Sequence, residues 1–552
     1  MKQNVKKVIN DSFDDLSDEM GWSGEIGDAI DISTPKDIKF GDFSCNVAMI
    51  LASRHKTKPR EIAEKLSERI RENELFSSVS VAGPGFINMT IKPIHWVERL
   101  KEILDADESF GCVDTGESKK VLVEFVSANP TGPLHIGHGR GAVVGDTLAR
   151  IMRKAGYDVH TEYYINDVGL QMDNLGRSTI ARSLEALGEN FDEPPYKGDY
   201  IKDIAQLFLK TKDADLFSKS DDKLVEEARD FTASRIMDDI RADLKEFRIE
   251  FDEWFSEMSL HANGEVEKTI EILKENNHIY ESDGALWLKT ESAGDEKDRV
   301  VRRANGVTTY LASDIAYHKN KFDRNFDTVI NVWGADHHGY VPRMKAVVKA
   351  LGHDPSRLVI RLVQLVSLKK SGQSLAMSTR AGVFTTLREI MDEVGVDATR
   401  YFFLMRSSDS QLEFDVDLAK KQSSENPVFY VQYAHARCCN IFVTAEERKI
   451  DLALLDKNID LSLLEGGDEL ALIRKLLELP NVVESCAISL QPHPVTQYLT
   501  DVSALFHYFY RHNRVVTDDP ALTRARLFLT KAVRIVLRNG LDILGVNAPE
   551  RM

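Results

Sequence analysis

The sequence predicts an α/β protein in which a doubly wound parallel sheet is preceded by a smaller α+β domain and followed by an α-helical domain. The run from Val121 to Phe125 predicts the sheet, because it is apolar except for Glu124, as in a strand covered on both faces. Strand-like and helical segments then alternate through residues 118–351, an order that favours parallel strands joined by helices. After about residue 400, amphipathic helical patterns replace the strand signals and predict the helical domain.

The N-terminal domain contains a predicted helix and a predicted strand. Pro59 opens a segment in which Ile62, Leu66 and Ile70 recur at helical spacing, so an amphipathic helix is expected there. A strand-like stretch at 79–91 follows, and a polar, glycine-containing linker comes after it. The predicted domains are residues 1–105, residues 116–400 with a charged, mostly helical insertion at roughly 190–290, and residues 401–552.

Composition and charge limit the classes of function. The 552 residues are 43% hydrophobic and 29% charged, as in an ordinary globular protein, and their formal net charge is −17. This charge disfavours indiscriminate binding to nucleic acid, which depends on basic side chains, although a local basic surface can still bind one. We expect a cytoplasmic protein without membrane association, because the sequence shows neither a bilayer-length apolar run nor a secretory signal. The five scattered cysteines predict neither a disulfide framework nor a zinc site.

Residues 135–138 read HIGH at the predicted start of a helix. His135 and His138 are three positions apart, so both imidazoles can reach one ligand. Free amide N–H groups and the positive end of the helix dipole favour an anion there, and Gly137 lets a flat base or ribose approach the backbone. A nucleotide phosphate is therefore the natural ligand. A bare HIGH tetrapeptide is also compatible with ordinary helix-start residues, so its significance depends on its context.

That context resembles a known family. VEFVSANPTGPLHIGHGRG (123–141) resembles the HIGH signature of class I aminoacyl-tRNA synthetases, and its EFVSANP portion is similar to the arginyl-tRNA synthetase family. Further segments resemble that family in its order, namely TTYLASDIAYH (308–318), VWGADHHGY (332–340), AMSTRAG (376–382), NPVFYVQYAHAR (426–437) and LGVNAPERM (544–552). The resemblance spans essentially the whole chain. It implies a Rossmann-like catalytic domain, an N-terminal domain that contacts tRNA and a C-terminal anticodon-binding domain.

The resemblance also implies a reaction and its substrates. ATP, with Mg²⁺ as co-substrate, would activate L-arginine to an adenylate, and the arginine would pass to the terminal adenosine of tRNA(Arg). A monomer without a protein-bound metal is expected. Positioned donors would stabilise the charge on the phosphates, and the residues expected in this catalytic role are His135, His138, Ser378 and Arg380. The residues expected to bind ATP are Ala128, Asn129, Pro130, Gly137, His138, Gly141, Asp336, His337, His338 and Met377.

Recognition of arginine requires acidic, planar acceptors, because a guanidinium offers five donors in a fixed geometry. By similarity, the arginine pocket is expected to contain Glu124, Ser127, Asn129, His138, Tyr310 and Asp314. Tyr310 and Asp314 are four residues apart, so both can lie on the pocket face of one helix. Without the resemblance, a solvated carboxylate on the helix surface would be the favoured interpretation of Asp314. Glu124 lies in a buried strand and therefore needs a buried partner.

The second phosphate-binding motif departs from the class I pattern. Where many class I enzymes carry KMSKR, this chain has Ala376, Met377, Ser378, Thr379 and Arg380, so both lysines are missing. Some members of the family carry a lysine just before the HIGH motif instead, but residues 130–134 contain none. Arg380, or Lys369 and Lys370 in the preceding loop, is therefore expected to provide the positive charge.

The helical domain is expected to read the tRNA. Aromatic and basic side chains are interleaved there, and such sets can stack unpaired bases and bind their phosphates. The residues expected to contact tRNA are Tyr430, Tyr433, Arg437, Tyr510, Arg514 and Arg524. Packing of the aromatics in helix cores and a solvated basic helix face remain alternative explanations.

Three other functions fit parts of the sequence. The first is a dehydrogenase, because Gly137, Gly139 and Ala142 satisfy a loose dinucleotide-binding fingerprint with Glu162 twenty residues later, but about ten residues separate this fingerprint from the strand. A synthetase-like binding protein without activation chemistry would explain the missing lysines, although the two histidines and the two pocket carboxylates are intact. The third is a class I synthetase for a different amino acid, and the two carboxylates disfavour an apolar substrate, which would leave them buried and unpaired.

Overall fold

The computed structural model describes residues 1–22, 30–35, 37–217, 221–375, 385–452 and 459–552. The described chain forms two compact units. One contains residues 1–107, 441–477 and 505–533, and the other contains residues 108–440, 478–504 and 534–552.

The α-helices are α1 (Lys2–Met20), α2 (Val47–His55), α3 (Pro59–Glu72), α4 (Pro93–Val97), α5 (Leu100–Ala106), α6 (Ile136–Lys154), α7 (Leu170–Leu187), α8 (Asp199–Leu209), α9 (Asp222–Glu246), α10 (Glu257–Ala262), α11 (Glu265–Glu275), α12 (Tyr310–Asp323), α13 (Val341–Ala350), α14 (Leu387–Val394), α15 (Val396–Leu404), α16 (Val416–Ala419), α17 (Pro427–Glu447), α18 (Gly467–Leu476), α19 (Leu479–Ser489), α20 (Pro494–His512) and α21 (Pro520–Ile543). The strands are β1 (Ile32–Ser33), β2 (Phe43–Cys45), β3 (Phe76–Ala82), β4 (Phe86–Ile91), β5 (Lys120–Glu124), β6 (Asp158–Ile165), β7 (Glu253–Ser256), β8 (Ile279–Ser282), β9 (Ala285–Leu288), β10 (Arg299–Arg302), β11 (Thr328–Gly334), β12 (Leu358–Val363), β13 (Val366–Lys370), β14 (Gln373–Leu375) and β15 (Leu412–Asp415). None of these helices is both long enough and apolar enough to span a bilayer.

The smaller unit contains an antiparallel sheet of strand order β1-β2-β4-β3. The helix predicted from Pro59 is confirmed as α3, which buries Ile62, Leu66 and Ile70. The stretch predicted as one strand at 79–91 is instead a hairpin of β3 and β4. Gly85, at φ 141°, allows the turn between these strands, a conformation that an L side chain rarely adopts.

The larger unit is built on a five-stranded sheet of order β12-β11-β5-β6-β7, and every neighbouring pair is parallel. The predicted strand at 121–125 is its central strand, β5, with Val121, Leu122 and Val123 fully covered. The strand order reverses at β5, and α6 follows β5 directly. Ligands of such sheets bind at the carboxyl ends of the strands near this switch point. The doubly wound parallel sheet predicted from the sequence is confirmed.

Four short strands lie where the sequence predicted other structure, and two of them, β8 and β9, pair with each other inside the predicted helical insertion. β7, inside the predicted insertion at 190–290, is an edge strand of the central sheet, so this segment is not a single insertion. β15, beyond the predicted boundary at residue 400, pairs in parallel with β13. Each has only four residues, which is too short to show a period of two in the sequence.

A buried arginine connects distant parts of the larger unit. The fully buried Arg400 of α15 donates hydrogen bonds to the carbonyl oxygens of Leu544 at 2.8 Å and Phe247 at 2.7 Å. It also forms an ion pair with Asp146 of α6. The guanidinium of Arg400 therefore holds together α6, the end of α9 and the segment after α21.

We predict that Arg400→Met destabilises the larger unit by about 3–5 kcal/mol, because it leaves the buried Asp146 carboxylate without this partner. Urea unfolding monitored by tryptophan fluorescence measures the change. Arg303→Met, at an exposed position, is the matched control. Equal unfolding midpoints for the two variants would contradict the prediction.

Candidate active site

The start of α6 is organised by the two histidines of HIGH. His135 is the N-cap residue, and its Nδ1 accepts hydrogen bonds from the backbone N–H groups of Gly137 at 3.1 Å and His138 at 3.3 Å. In return, the Nδ1 of His138 accepts from the backbone N–H of His135 at 3.3 Å. The two rings stack with centroids 3.6 Å apart. Glycine at position 137 leaves room for this ring, because a Cβ there would lie 3.0 Å from the His135 imidazole and would displace it.

These hydrogen bonds fix the tautomer of both imidazoles. Because each Nδ1 accepts, the proton of each neutral ring lies on Nε2. Burial lowers the pKa of His138 to about 3 and lowers that of His135. At neutral pH the start of α6 therefore presents two uncharged N–H donors. The sequence predicted two imidazoles that reach one ligand, and the structure brings the two rings together.

The loop after β5 holds a strained turn. Val126 and Ser127 have positive φ values of 67° and 42°, which are uncommon for non-glycine residues and are frequent at functional sites. The hydroxyl of Ser127 donates to Glu124 Oε1 at 2.9 Å and accepts from the backbone N–H of Tyr164 at 3.2 Å. Strain in this turn is thus offset by contacts that orient Glu124.

The other loop residues expected to bind ATP surround this turn. The carbonyl oxygen of Ala128 accepts a hydrogen bond from the hydroxyl of buried Tyr163 at 2.8 Å. Asn129 is exposed, and its amide donates to Gln171 Oε1 at 2.8 Å. Pro130 is buried and Gly141, in α6, is half-buried.

Glu124 has the buried partner that its position in β5 required. Lys321 of α12 is fully buried, forms an ion pair with Glu124 and donates to Asn331 Oδ1 at 2.9 Å. Its ammonium also lies 4.2 Å from the ring centroid of Tyr317. The charge of the Glu124 carboxylate is therefore balanced by the buried ammonium of Lys321.

The network continues to Asp314 through His318. The amide of Asn331 lies 3.0 Å from His318 Nε2, and His318 Nδ1 lies 2.8 Å from the carbonyl oxygen of Asp314. Burial lowers the pKa of His318 to about 3, so the ring is neutral. The geometry then assigns the proton to Nδ1, which donates to Asp314, while Nε2 accepts from Asn331. One continuous chain of hydrogen bonds links Glu124 to the backbone of Asp314.

Asp314 itself is half-buried, and the hydroxyl of Tyr340 donates to its Oδ2. Burial and the neighbouring carboxylates of Glu257 and Glu124 raise the pKa of Asp314 to about 7, whereas Tyr340 and Lys321 act in the opposite direction. These contacts do not fit the alternative interpretation of Asp314 as a plain carboxylate on the helix surface, and its place in the arginine pocket stays a prediction. Tyr310 lies one turn earlier, at the start of α12, and is 56% exposed, whereas Asp314 is half-buried. The two side chains therefore differ in their exposure to solvent.

The motif WGADHHGY continues from β11 into a short 3₁₀ helix, Ala335–Tyr340. Asp336, His337 and His338 are exposed along it. His338 Nδ1 lies 3.2 Å from the carbonyl oxygen of Ala335, and the ring of His337 lies 6.0 Å from that of Trp333. These polar side chains are open to a ligand at the carboxyl end of β11.

The AMSTR motif, with Met377, Ser378 and Arg380, lies outside the described residues. The two lysines before it are described, and both contact carboxylates. Lys369 lies 3.3 Å from Asp415 and 3.6 Å from Glu413, which raise its pKa, and Lys370 lies 2.6 Å from Glu393.

The residues expected to contact tRNA lie on three helices and, for Arg514, in the segment between α20 and α21. On α17, Arg437 donates to the hydroxyl of Tyr433 at 3.0 Å, and its guanidinium lies 4.6 Å from the centroid of that ring. Tyr433 is 39% exposed, and its ring stacks on that of Phe429 with the centroids 6.0 Å apart. Tyr430 lies on the same helix. Tyr510 on α20 is 41% exposed, Arg514 after α20 is exposed, and Arg524 on α21 is half-buried.

Sequence reasoning missed two important groups. Lys321 lies seven residues, or two helical turns, after Asp314, so this spacing and the unpaired Glu124 could have identified it. Tyr340 belongs to the motif WGADHHGY, but its contact with Asp314 joins residues 26 positions apart, and no local sequence pattern predicts such a contact.

One set of side chains among the described residues has the spacing of a metal site. It consists of His160, Glu162 and Glu253, on β6 and β7. Arg324 donates to both carboxylates, at 2.6 Å and 2.8 Å, so a protein cation already neutralises them.

Comparison with known proteins gives matches over the whole chain. The family described as the N-terminal domain of arginyl-tRNA synthetase matches residues 1–91, the class I (R) tRNA synthetase catalytic domain matches 99–409, and the DALR anticodon-binding domain matches 431–552. The chain is 50% identical to an arginine–tRNA ligase of Syntrophotalea carbinolica and 52% identical to one of Citrifermentans bemidjiense, and each match covers 100% of both chains.

Solved structures with the same fold are also found. A protein from Campylobacter jejuni, provisionally named an arginyl-tRNA synthetase, superposes with a TM-score of 0.77 at 38% identity, over 84% of this chain and 100% of that one. The arginyl-tRNA synthetase of Thermus thermophilus superposes with a TM-score of 0.76 over 100% of both chains, but at 22% identity this match concerns the fold alone.

We predict that His138 does not titrate between pH 5 and pH 8, because burial keeps its pKa near 3. Histidine-labelled protein, with the His138 resonance assigned by loss in His138→Gln, allows its shift to be followed by NMR. A histidine in a short peptide, with a pKa near 6.5, is the reference. A midpoint above pH 5.5 for His138 would contradict the two-donor arrangement.

Proposed function

The chain belongs to the arginyl-tRNA synthetase family, and from this premise we propose which residues bind each substrate and which stabilise the reacting groups. It is an arginine–tRNA ligase, which activates L-arginine with ATP to arginyl-adenylate and transfers arginine to the 3′-terminal adenosine of tRNA(Arg), releasing AMP and pyrophosphate. The observation that supports the residue roles best is the set of carboxylates and neutral histidines at the carboxyl edge of the parallel sheet. The carboxylates suit the guanidinium of arginine, and the neutral N–H donors of the histidines suit the phosphates of ATP.

In the activation step, the arginine carboxylate attacks the α-phosphorus of ATP and pyrophosphate leaves. Negative charge grows on the phosphoryl oxygens, so the protein must supply positioned donors and needs no covalent nucleophile. We assign this role to the Nε2–H groups of His135 and His138, aided by the positive end of α6. Because both rings are neutral, they donate without requiring a proton from solvent.

Glu124 and Asp314 are the proposed acceptors for the substrate guanidinium. Both carboxylates have additional donors, Lys321 for Glu124 and Tyr340 for Asp314, and these fix their orientation. A planar guanidinium can bridge two oriented carboxylates, which a lysine ammonium cannot match. Ser127, Asn129, His138 and Tyr310 complete the proposed pocket around the rest of the amino acid.

ATP is proposed to lie across the start of α6 and the 3₁₀ helix that follows β11. Ala128, Asn129, Pro130, Gly137 and Gly141 would line one side of the nucleotide. Asp336, His337 and His338 would approach its ribose and base from the other side, and Met377 is also proposed to bind ATP. We propose that Mg²⁺ arrives with ATP as co-substrate and that the protein holds no resident metal.

The cation that meets the departing pyrophosphate is proposed to be Arg380, aided by Ser378, or the Lys369–Lys370 pair. Both lysines contact carboxylates of β15 and α14, so they would exchange these partners for phosphate oxygens. A phosphate group carries more charge than one carboxylate and therefore competes well for an ammonium.

For tRNA, we propose contacts by the N-terminal domain, residues 1–105, and by the helical domain, residues 401–552, with residues 116–400 as the catalytic domain. The proposed base and phosphate contacts are Tyr430, Tyr433, Arg437, Tyr510, Arg514 and Arg524. Tyr433 supports this proposal best, because its exposed ring is braced by Arg437. We further propose that the enzyme acts as a monomer in the cytoplasm.

We predict that the KM for arginine falls as the pH rises from 6 to 8. The pKa of Asp314 is about 7, so the carboxylate is mostly protonated at pH 6 and attracts a guanidinium only after it ionises. Asp314→Asn should raise the KM by about tenfold or more at pH 8 and abolish this part of the pH dependence. Arginine charging of tRNA over this pH range measures both effects. The proposed pocket is wrong if Asp314→Asn charges arginine with an unchanged KM at pH 8.

We predict that Lys369→Ala/Lys370→Ala slows arginine-dependent exchange of pyrophosphate into ATP by about a hundredfold if these lysines meet the leaving group. Lys268→Ala/Lys274→Ala is the matched control, since both of its lysines are exposed and paired with carboxylates on α11. Equal rates for the two double variants would leave Arg380 as the proposed cation, and Arg380→Ala should then cause the loss.

A further inference from the structure

The hydroxyl of Tyr340 connects two segments to which the proposed function gives different substrates. It donates to Oδ2 of Asp314, the proposed acceptor for the arginine guanidinium. Tyr340 is also the last residue of the 3₁₀ helix Ala335–Tyr340, whose Asp336, His337 and His338 are proposed to face ATP. A displacement of this helix therefore moves a donor that is bonded to the arginine pocket.

The ring of Tyr340 is held on two sides. The guanidinium of Arg343 lies 4.6 Å from the ring centroid, and the ring of Trp333 lies 6.1 Å away at an interplanar angle of 61°. Arg343 is itself held by the buried Asp295, with 3.4 Å between Arg343 Nε and Asp295 Oδ2. These contacts leave the hydroxyl little freedom to leave Asp314 unless the backbone of residues 335–340 moves.

Asp314 depends on this donor because of the charges that surround it. Glu124 from β5 and Glu257 from α10 disfavour its ionised form, and Lys321 from its own helix favours it. The phenol of Tyr164 from β6 faces the same group. The hydroxyl of Tyr340 favours the ionised form, and its removal would leave two like charges opposed by one ammonium. Only the ionised carboxylate can pair with a guanidinium.

We propose that Tyr340 is a positioning residue that couples the two substrates: ATP bound along residues 335–340 fixes the hydroxyl on Asp314 and so strengthens arginine binding, and arginine strengthens ATP binding by the same factor. This inference rests on the proposed function, because it needs arginine at Asp314 and ATP at residues 335–340. The reciprocity follows from linkage between two ligands on one protein. In this proposal, each ligand favours the state in which the hydroxyl of Tyr340 is hydrogen-bonded to Asp314.

The test compares arginine binding with and without ATP in the full-length chain. The dissociation constant for L-arginine is measured by calorimetry at pH 7.5, alone and with saturating α,β-methylene-ATP and Mg²⁺, an analogue that cannot be cleaved at the α-phosphorus. We expect the analogue to tighten arginine binding about fivefold or more in the unmodified protein, as is typical of coupled sites. In Tyr340→Phe this factor should fall to nearly one. Tyr280→Phe, which removes an exposed hydroxyl from β8, should keep the full factor.

Two further measurements separate a positioning role from a general structural one. In the Asp314→Asn background, Tyr340→Phe should cause no further loss of arginine affinity, because the hydroxyl acts through that carboxylate. In Tyr340→Phe alone, the pH midpoint of arginine binding should move above the value near 7 of the unmodified protein, since the group that favours the ionised carboxylate is gone.

Each result has a distinct meaning. Loss of coupling in Tyr340→Phe, with non-additivity in the double variant, supports the proposal. Full coupling in Tyr340→Phe, or no coupling in the unmodified protein, overturns it while leaving the arginine pocket intact. Unchanged arginine affinity in Asp314→Asn overturns the pocket, and with it this inference.

Discussion

The buried ion pair between Lys321 and Glu124 is the constraint on which the active site depends. Glu124 ends the central strand of a sheet that is covered on both faces, where an uncompensated carboxylate costs several kcal/mol. Lys321 removes this cost, and it does so from α12, the helix that also carries Asp314. The ion pair that permits a charge in the core therefore lies on the same helix as Asp314, the second carboxylate of the proposed pocket.

The polar network extends this constraint to the chemistry. Lys321, Asn331 and the neutral His318 form a directed chain of hydrogen bonds that ends on the backbone of Asp314, so each member has a defined donor and acceptor. Fully satisfied buried networks of this kind are rigid, and partial ones are costly. At the start of α6, reciprocal capping by the two histidines follows the same rule. In both places hydrogen bonds fix a tautomer, and a fixed tautomer determines which atom can meet a substrate.

The sequence predicted the features that depend on local pattern. The apolar run at 121–125 gave the central strand, the spacing of Ile62, Leu66 and Ile70 gave α3, and the i, i+3 histidines gave the helix start. It did not predict β7 or β15, since four residues in charged surroundings carry no readable period. The sequence also did not predict the raised pKa of Asp314 or its hydrogen bond from Tyr340, because the groups involved lie on β5, α10, α12 and the 3₁₀ helix after β11 and meet only in the folded chain.

The location of the arginine guanidinium tests the central claim most directly. A crystal structure of the protein with L-arginine and α,β-methylene-ATP should show the guanidinium bridging Glu124 and Asp314, with Lys321 still on Glu124 and the hydroxyl of Tyr340 on Asp314. A guanidinium bound away from these two carboxylates, or an arginine that displaces Lys321 from Glu124, would contradict the claim that a permanent internal cation shapes the pocket.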